Sequence, residues 1–166
     1  MAKPAGSACN LDCAYCFYLS KRVLPGGPGS GHMPDDVLER FVKDYIDSVT
    51  SDEVVFSWQG GEPTLLGLEF FEKVVTLQKK HARAGQRIEN DLQTNGTLLD
   101  DDWARFLKQH RFLVGLSIDG PREIHDHCRI TKHAEPTFDQ VFAAAKMLQK
   151  HGVRFNTLTC VHRYNA

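Results

Sequence analysis

The sequence predicts an α/β fold in which parallel strands alternate with amphipathic helices. Three observations predict it. Short β-branched and aromatic runs such as EVVFSW (53–58) and FLVGLSI (112–118) are each followed by glycine-bearing turns. Longer stretches with helical periodicity separate them. The alternation recurs every roughly 25 to 40 residues, the length that a strand plus a crossover helix occupies.

Taken in order, residues 35–50 (DDVLERFVKDYIDSVT) put Val37, Leu38, Phe41, Val42, Tyr45, Ile46 and Val49 on one helical face. Asp35 and Asp36 sit in the first turn, where the helix dipole favours them. EVVFSW reads as a buried strand entering a turn at Gly60-Gly61. A helix follows from about Glu69 to Arg83, with Phe70, Phe71, Val74, Val75 and Leu77 largely on one side. RIENDLQT (87–94) is a weaker strand ended by Asn95-Gly96, and DDDWARFLKQH (100–110) opens with acidic start signals and continues as a helix. FLVGLSI is the next strand. FDQVFAAAKMLQKHG (138–152) is a helix stopped by Gly152, and VRFNTLTCV (153–161) is a further strand. Met1 to Pro4 could be the end of a clipped first strand. LPGGPGSGHMP (24–34) has the composition of a flexible surface loop or of a cloning remnant, and no function is assigned to it.

In parallel sheets of this kind ligands collect at the carboxyl ends of the strands. Gly60 to Pro63, Thr94 to Gly96 and Ser117 to Gly120 all fall immediately after a predicted strand. The composition excludes some partners. Lys plus Arg number 20 and Asp plus Glu 21, for a net charge of -1, with no basic stripe to suggest nucleic acid or a membrane surface. No apolar run approaches a bilayer span and the N-terminus lacks a secretory core, so a cytoplasmic location is expected.

CNLDCAYCFY (9–18) places three of the five cysteines in eight positions. In a reducing compartment such crowding points to metal rather than to disulfides. Thiolates at C-x3-C-x2-C in a loop can converge on an iron-sulfur cluster or on zinc. Three protein ligands on a four-iron cubane leave one iron open, and an open iron is a reaction site. Zinc remains an alternative, with Cys128, His125 or His127 as a fourth ligand, although the second ligand pair usual in structural zinc sites is absent. Buried, structurally inert cysteines are a third reading.

C-x3-C-x2-C followed by aromatics, here Cys9, Cys13 and Cys16 with Tyr15, Phe17 and Tyr18, resembles the signature of the radical S-adenosylmethionine (SAM) superfamily. WQGGEP (58–63), LQTNGTLL (92–99) and GLSIDGPREIHDHCR (115–129), in that order, narrow the likeness to the branch containing the anaerobic sulfatase-maturating enzymes. These convert a cysteine or serine of a sulfatase into formylglycine. The resemblance runs through essentially the whole chain and implies part of a partial (β/α)6 TIM-like barrel.

The resemblance also implies roles. Cys9, Cys13 and Cys16 would bind a [4Fe-4S] cluster whose open iron chelates SAM. One-electron reduction would then release a 5′-deoxyadenosyl radical that takes hydrogen from substrate. Gly60, Gly61 and Glu62 would accept hydrogen bonds from the SAM ammonium, for which close backbone approach and an anionic acceptor are suited; an ordinary Gly-Gly turn with a solvated Glu is the plain alternative. Ser117 would bond the ribose, and Arg129 would pair with the SAM carboxylate through its planar fork of donors. Tyr15 would lie beside the adenine, or only keep the cluster dry. Asp119 would either shape this region or cap the turn before Gly120-Pro121. Gln59 and Asn95 point into the same mouth as candidate substrate or SAM contacts. His125, Asp126 and His127 are expected in a solvated loop that presents Arg129. Cys128 and Cys160 are expected to be structural, Cys160 within the last strand.

Full members of the family are more than twice this long and carry a cysteine-rich C-terminal region, SPASM, with auxiliary clusters. Residues 1–166 therefore read as a truncated radical SAM core domain, with the substrate-deprotonating base expected outside it. The partners implied are a sulfatase-type or other polypeptide substrate and an external one-electron donor of the flavodoxin or ferredoxin type. Another peptide-modifying radical SAM activity, such as crosslinking or epimerisation, and a non-catalytic zinc module are the competing functions.

Overall fold

In the computed structural model, which describes residues 1–19 and 32–166, strands β1 (Glu53–Trp58), β2 (Arg87–Thr94), β3 (Leu113–Ser117) and β4 (Arg154–Leu158) form one parallel sheet in that order. Helices α1 (Asp35–Ser48), α2 (Leu68–His81), α3 (Asp101–Gln109) and α5 (Phe138–Lys150) occupy the four predicted stretches. Their ends follow local chemistry. Asp100 caps α3 by accepting the Trp103 N–H at 2.9 Å. Gly152, at φ 64°, takes the left-handed turn after α5 and lets the Val153 N–H reach the Leu148 carbonyl. Most of the 24–34 loop lies outside the described residues.

Ala2 makes a single parallel bridge to Trp58, donating to the Ser57 carbonyl at 2.8 Å and accepting from the Gln59 N–H at 3.0 Å. The start of the chain is thereby laid alongside β1, beside the mouth where the cysteine stretch begins.

The helices bury one face of the sheet. Val54, Phe56 and Trp58 of β1, Leu92 of β2, and Val114 and Leu116 of β3 join Leu38, Val42 and Ile46 of α1, Phe71 and Val74 of α2, Leu107 of α3, and Val141 and Leu148 of α5 in one core. Each such large side chain contributes about 1.5–3 kcal/mol when fully buried. The Trp58 indole N–H is satisfied by Asn90 Oδ1 at 2.8 Å.

The other face differs from the buried strand that EVVFSW suggests. Ser57, Asp91, Gln93, Gly115 and Asn156 line a cavity of about 300 Å³ on it together with Leu113 and Leu158, so this face is mixed rather than a second apolar core. The core therefore sits entirely on the helical side, and the strand ends open toward polar space. Among the described residues no helix is long and apolar enough to cross a membrane.

Candidate active site

At the carboxyl ends of the strands, Cys9, Cys13 and Cys16 line a cavity of about 430 Å³ together with Tyr15, Gln59, Gly60, Gly61, Glu62, Asn95, Ser117 and Arg129. Every residue singled out from the sequence for cofactor binding is thus brought to one place. None of the three cysteines is in a disulfide. Their loop is held from two sides. Asp12 N–H and Ala14 N–H donate to the carbonyls of Ile130 and Cys128 at 2.9 and 2.8 Å. From the other side the Glu62 N–H donates to the Ala8 carbonyl at 2.8 Å, so the Gly-Gly-Glu bend is bonded to the residue preceding Cys9. Gly61, at φ 51°, passes so close that a Cβ there would stand 2.1 Å from Ala8 O. Only glycine fits that approach.

The donor chemistry suits an iron-sulfur cluster. Burial first, and then the neighbouring Cys9 and Cys16, push the Cys13 thiol up to about 12, while Arg129 works in the opposite direction. A thiol that resists ionising is one that bound metal can deprotonate outright. Among the described residues no three Cys, His, Asp or Glu side chains converge tightly enough to hold a single ion. Thiolates that each take a different iron of a cubane stand further apart than ligands of one ion.

Glu62 does not match the solvated-side-chain alternative, being only 1% exposed. Its Oε1 accepts from Thr64 N–H, Thr64 Oγ1 and Thr94 Oγ1 at 3.0, 2.6 and 2.7 Å, and its Oε2 from Asn95 N–H at 2.7 Å. All four donors are neutral. Burial outweighs them and raises the carboxyl above its ordinary value. A carboxylate so placed gains most from a cation, and one lone pair of Oε2 is left for it.

Asp119 is the second buried carboxylate, with no exposed surface. Its Oδ2 accepts from Arg129 Nε at 2.9 Å and from the Tyr15 hydroxyl, and its Oδ1 from Arg129 Nη2 at 3.1 Å and Cys160 N–H at 3.0 Å. It therefore shapes the site rather than merely capping a turn. Burial alone would raise its pKa, but Arg129, Tyr15 and the Cys160 N–H outweigh burial and hold it below the usual carboxylate value. The pairing engages Arg129 through Nε and Nη2, and Arg129 also lines the cavity. Tyr15 is locked by the same carboxylate, with the guanidinium 5.6 Å from its ring centre. Burial first, then the bond to Asp119, pushes its phenol up.

The solvated loop expected over 125–127 is instead part of helix α4 (Arg122–Cys128). His125 is fully buried: its Nδ1 accepts the Asp119 N–H at 3.3 Å, which leaves Nε2 to donate to Thr137 Oγ1 at 3.1 Å. Thr137 Oγ1 in turn donates to the Arg129 carbonyl at 2.6 Å. Burial, then Arg129, lowers the His125 pKa and keeps the imidazole neutral. Asp126 Oδ1 accepts the N–H groups of Thr137 and Phe138 at 2.9 and 2.8 Å, capping α5. His127 alone of the three is exposed. Cys128 is buried as expected, but β4 ends at Leu158, so Cys160 lies beyond the strand and lines the cavity. A short polar helix with no apolar stripe has no periodic signature, and its inward side chain is a histidine. Asn10 and Thr97, which hold Asn95, were also not singled out; the Asn-Gly-Thr sequence is an Asx-turn signature that points to Thr97, whereas Asn10 is brought in only by the fold.

A radical SAM superfamily profile matches residues 4–166 of this site-bearing sheet. The chain belongs to the radical SAM superfamily. It is 46% identical over 166 residues to the serine-type anaerobic sulfatase-maturating enzyme of Bacteroides thetaiotaomicron, covering all of this chain and 40% of that protein. It is 48% identical over 161 residues to the cysteine-type enzyme of Clostridium perfringens, covering 97% and 43%. The structure of native anSMEcpe with bound AdoMet and Cp18Cys peptide superposes with a TM-score of 0.86 at 48% identity, over 95% of this chain and 41% of that one. The chain thus spans about 40% of the length of the curated relatives it matches, and its parallel sheet corresponds to part of a TIM-like barrel.

Proposed function

We propose that this chain is the SAM- and cluster-binding part of a radical SAM enzyme that converts a cysteine or serine of a sulfatase-type polypeptide into formylglycine. One observation carries the reading: three cysteines outside any disulfide, a buried carboxylate surrounded by neutral donors and an arginine line the same cavity. Cys9, Cys13 and Cys16 would hold a [4Fe-4S] cluster. When bound, the cluster supplies the electron that cleaves SAM, and the radical so formed takes hydrogen from the substrate.

The protein's own part is to bind, orient and exclude water. Glu62 and the Gly60-Gly61 backbone are suited to the SAM ammonium, Arg129 to its carboxylate, Ser117 to the ribose and Tyr15 to the adenine side. Gln59 and the polar groups on the inner face of the sheet offer donors and acceptors to a peptide backbone. Residues 1–166 constitute a truncated part of the core domain in this reading, with a flavodoxin- or ferredoxin-type donor delivering the electron in the cytoplasm, where thiols stay reduced.

Anaerobic reconstitution with iron and sulfide tests the proposal. Four irons per chain, and 5′-deoxyadenosine on adding SAM and a strong reductant, are expected. Cys13→Ala should lose the visible absorption of the cluster with helical content retained. Stoichiometric zinc without iron uptake would establish a metal-binding module instead.

A further inference from the structure

Asn95 is 7% exposed, and its side-chain amide is fully engaged by protein. Oδ1 accepts the Thr97 N–H at 3.0 Å and the Thr97 hydroxyl at 2.8 Å. This fixes the amide orientation, because a backbone N–H must face oxygen and not an NH2 group. Nδ2 therefore points at the ligand loop. One of its hydrogens goes to Asn10 Oδ1 at 2.9 Å, and the other is aimed at Cys9 Sγ at 3.9 Å. Asn10 Nδ2 closes the ring by donating to Thr97 Oγ1 at 2.8 Å. Cys9 Sγ thus receives two N–H groups, from Asn95 and from the Leu11 backbone at 3.4 Å. The two donors left over after turn formation are spent on the loop, one of them on the sulfur itself.

We infer that Asn95 is a positioning residue for the cluster: its amide orients the Cys9 ligand and makes the cluster easier to reduce. This rests on the reading that Cys9 binds iron. A thiolate ligand carries more negative charge once an electron has entered the cluster, so an N–H aimed at it bonds more strongly in the reduced state than in the oxidised one. The midpoint potential rises accordingly. An external one-electron reductant gives one electron, and the cluster goes from the 2+ to the 1+ state with no other bond changed.

The test is a mediated redox titration of the anaerobically reconstituted chain, following the paramagnetic reduced cluster, for wild type, Asn95→Ala and Asn95→Asp. Iron content should be unchanged. The potential should move negative in Asn95→Ala and further in Asn95→Asp, which removes both donors and adds a negative charge. SAM affinity of the oxidised protein should change less than threefold. Unchanged potentials at full iron content overturn the inference, as does a large loss of SAM affinity at constant potential, the result for a direct SAM contact. Should the Asn95 variants hold no iron, Thr97→Val decides: it loosens the amide without removing it, so a smaller negative shift is expected and no shift overturns the idea. A wild-type chain that takes up no iron overturns the cluster reading itself, and this inference with it.

Discussion

Glu62, beyond β1, and Asp119, beyond β3, are both buried carboxylates at the carboxyl end of one sheet, and each collects four hydrogen bonds. Their proton affinities nevertheless shift in opposite directions, up for Glu62 and down for Asp119. The difference lies in the donors. Glu62 meets only hydroxyl and backbone N–H groups, whereas Asp119 faces a guanidinium. Neutral hydrogen bonds satisfy a buried carboxylate without cancelling the desolvation of its charge; a cation does both. Asp119 is therefore a finished structural pair and Glu62 an unfinished one, open to a cationic ligand.

The largest effect should come from breaking the finished pair. Asp119→Ala leaves Arg129 buried without its partner and should cost about 3–5 kcal/mol in urea unfolding; a smaller loss than that of Glu62→Ala would contradict the contrast. Glu62→Ala abandons the N–H groups of Thr64 and Asn95 and two hydroxyls, and should cost about 1–3 kcal/mol. In the reconstituted protein it should also weaken SAM binding by about tenfold, equivalent to about 1.4 kcal/mol, measured by calorimetry. Unchanged SAM affinity would remove Glu62 from the ammonium site. Tyr15→Phe takes one donor from Asp119 but leaves the guanidinium, so a loss of only about 1.5 kcal/mol is expected in the same urea assay.

The smallest effect is a slope. Glu62 holds its proton more tightly folded than unfolded, where it titrates near 4.5. Its stabilising term is complete below that unfolded value and is lost as pH rises through the folded one. Asp119 behaves oppositely: its term is complete above 3.8 and is lost as pH falls through its depressed value. Glu62→Gln should accordingly flatten the pH dependence of the urea midpoint above the unfolded carboxyl value of 4.5, while leaving the acid limb set by Asp119. An identical profile in the variant would show that Glu62 does not titrate with folding.

The sheet was largely legible in the sequence, because EVVFSW and FLVGLSI are short β-branched and aromatic runs ended by glycine-bearing turns, and the stretches that form α1, α2, α3 and α5 repeat at 3.6. Those patterns are local consequences of burying one face. Helix α4 was not legible. It has no apolar stripe, and it is helical because His125 plugs into Asp119 and Thr137 while Asp126 caps α5. The cavity residues were found as types in motifs, but their bonding was not: nothing in LQTNGT tells whether Asn95 faces a ligand, a sulfur or a turn.

By itself the sequence determined the alternation of strands and helices, the three-thiol motif and the glycines that allow close backbone approach, since each depends on neighbours a few residues away. Tertiary structure alone decided which carboxylate meets a cation. Helix α4 turns Arg129 back onto Asp119 ten residues earlier, while the pairing of β1 with β2 sets Glu62 among the neutral donors Thr94 and Asn95. Charge and desolvation act through space, so the chemistry of the site follows from which chain ends the sheet brings together.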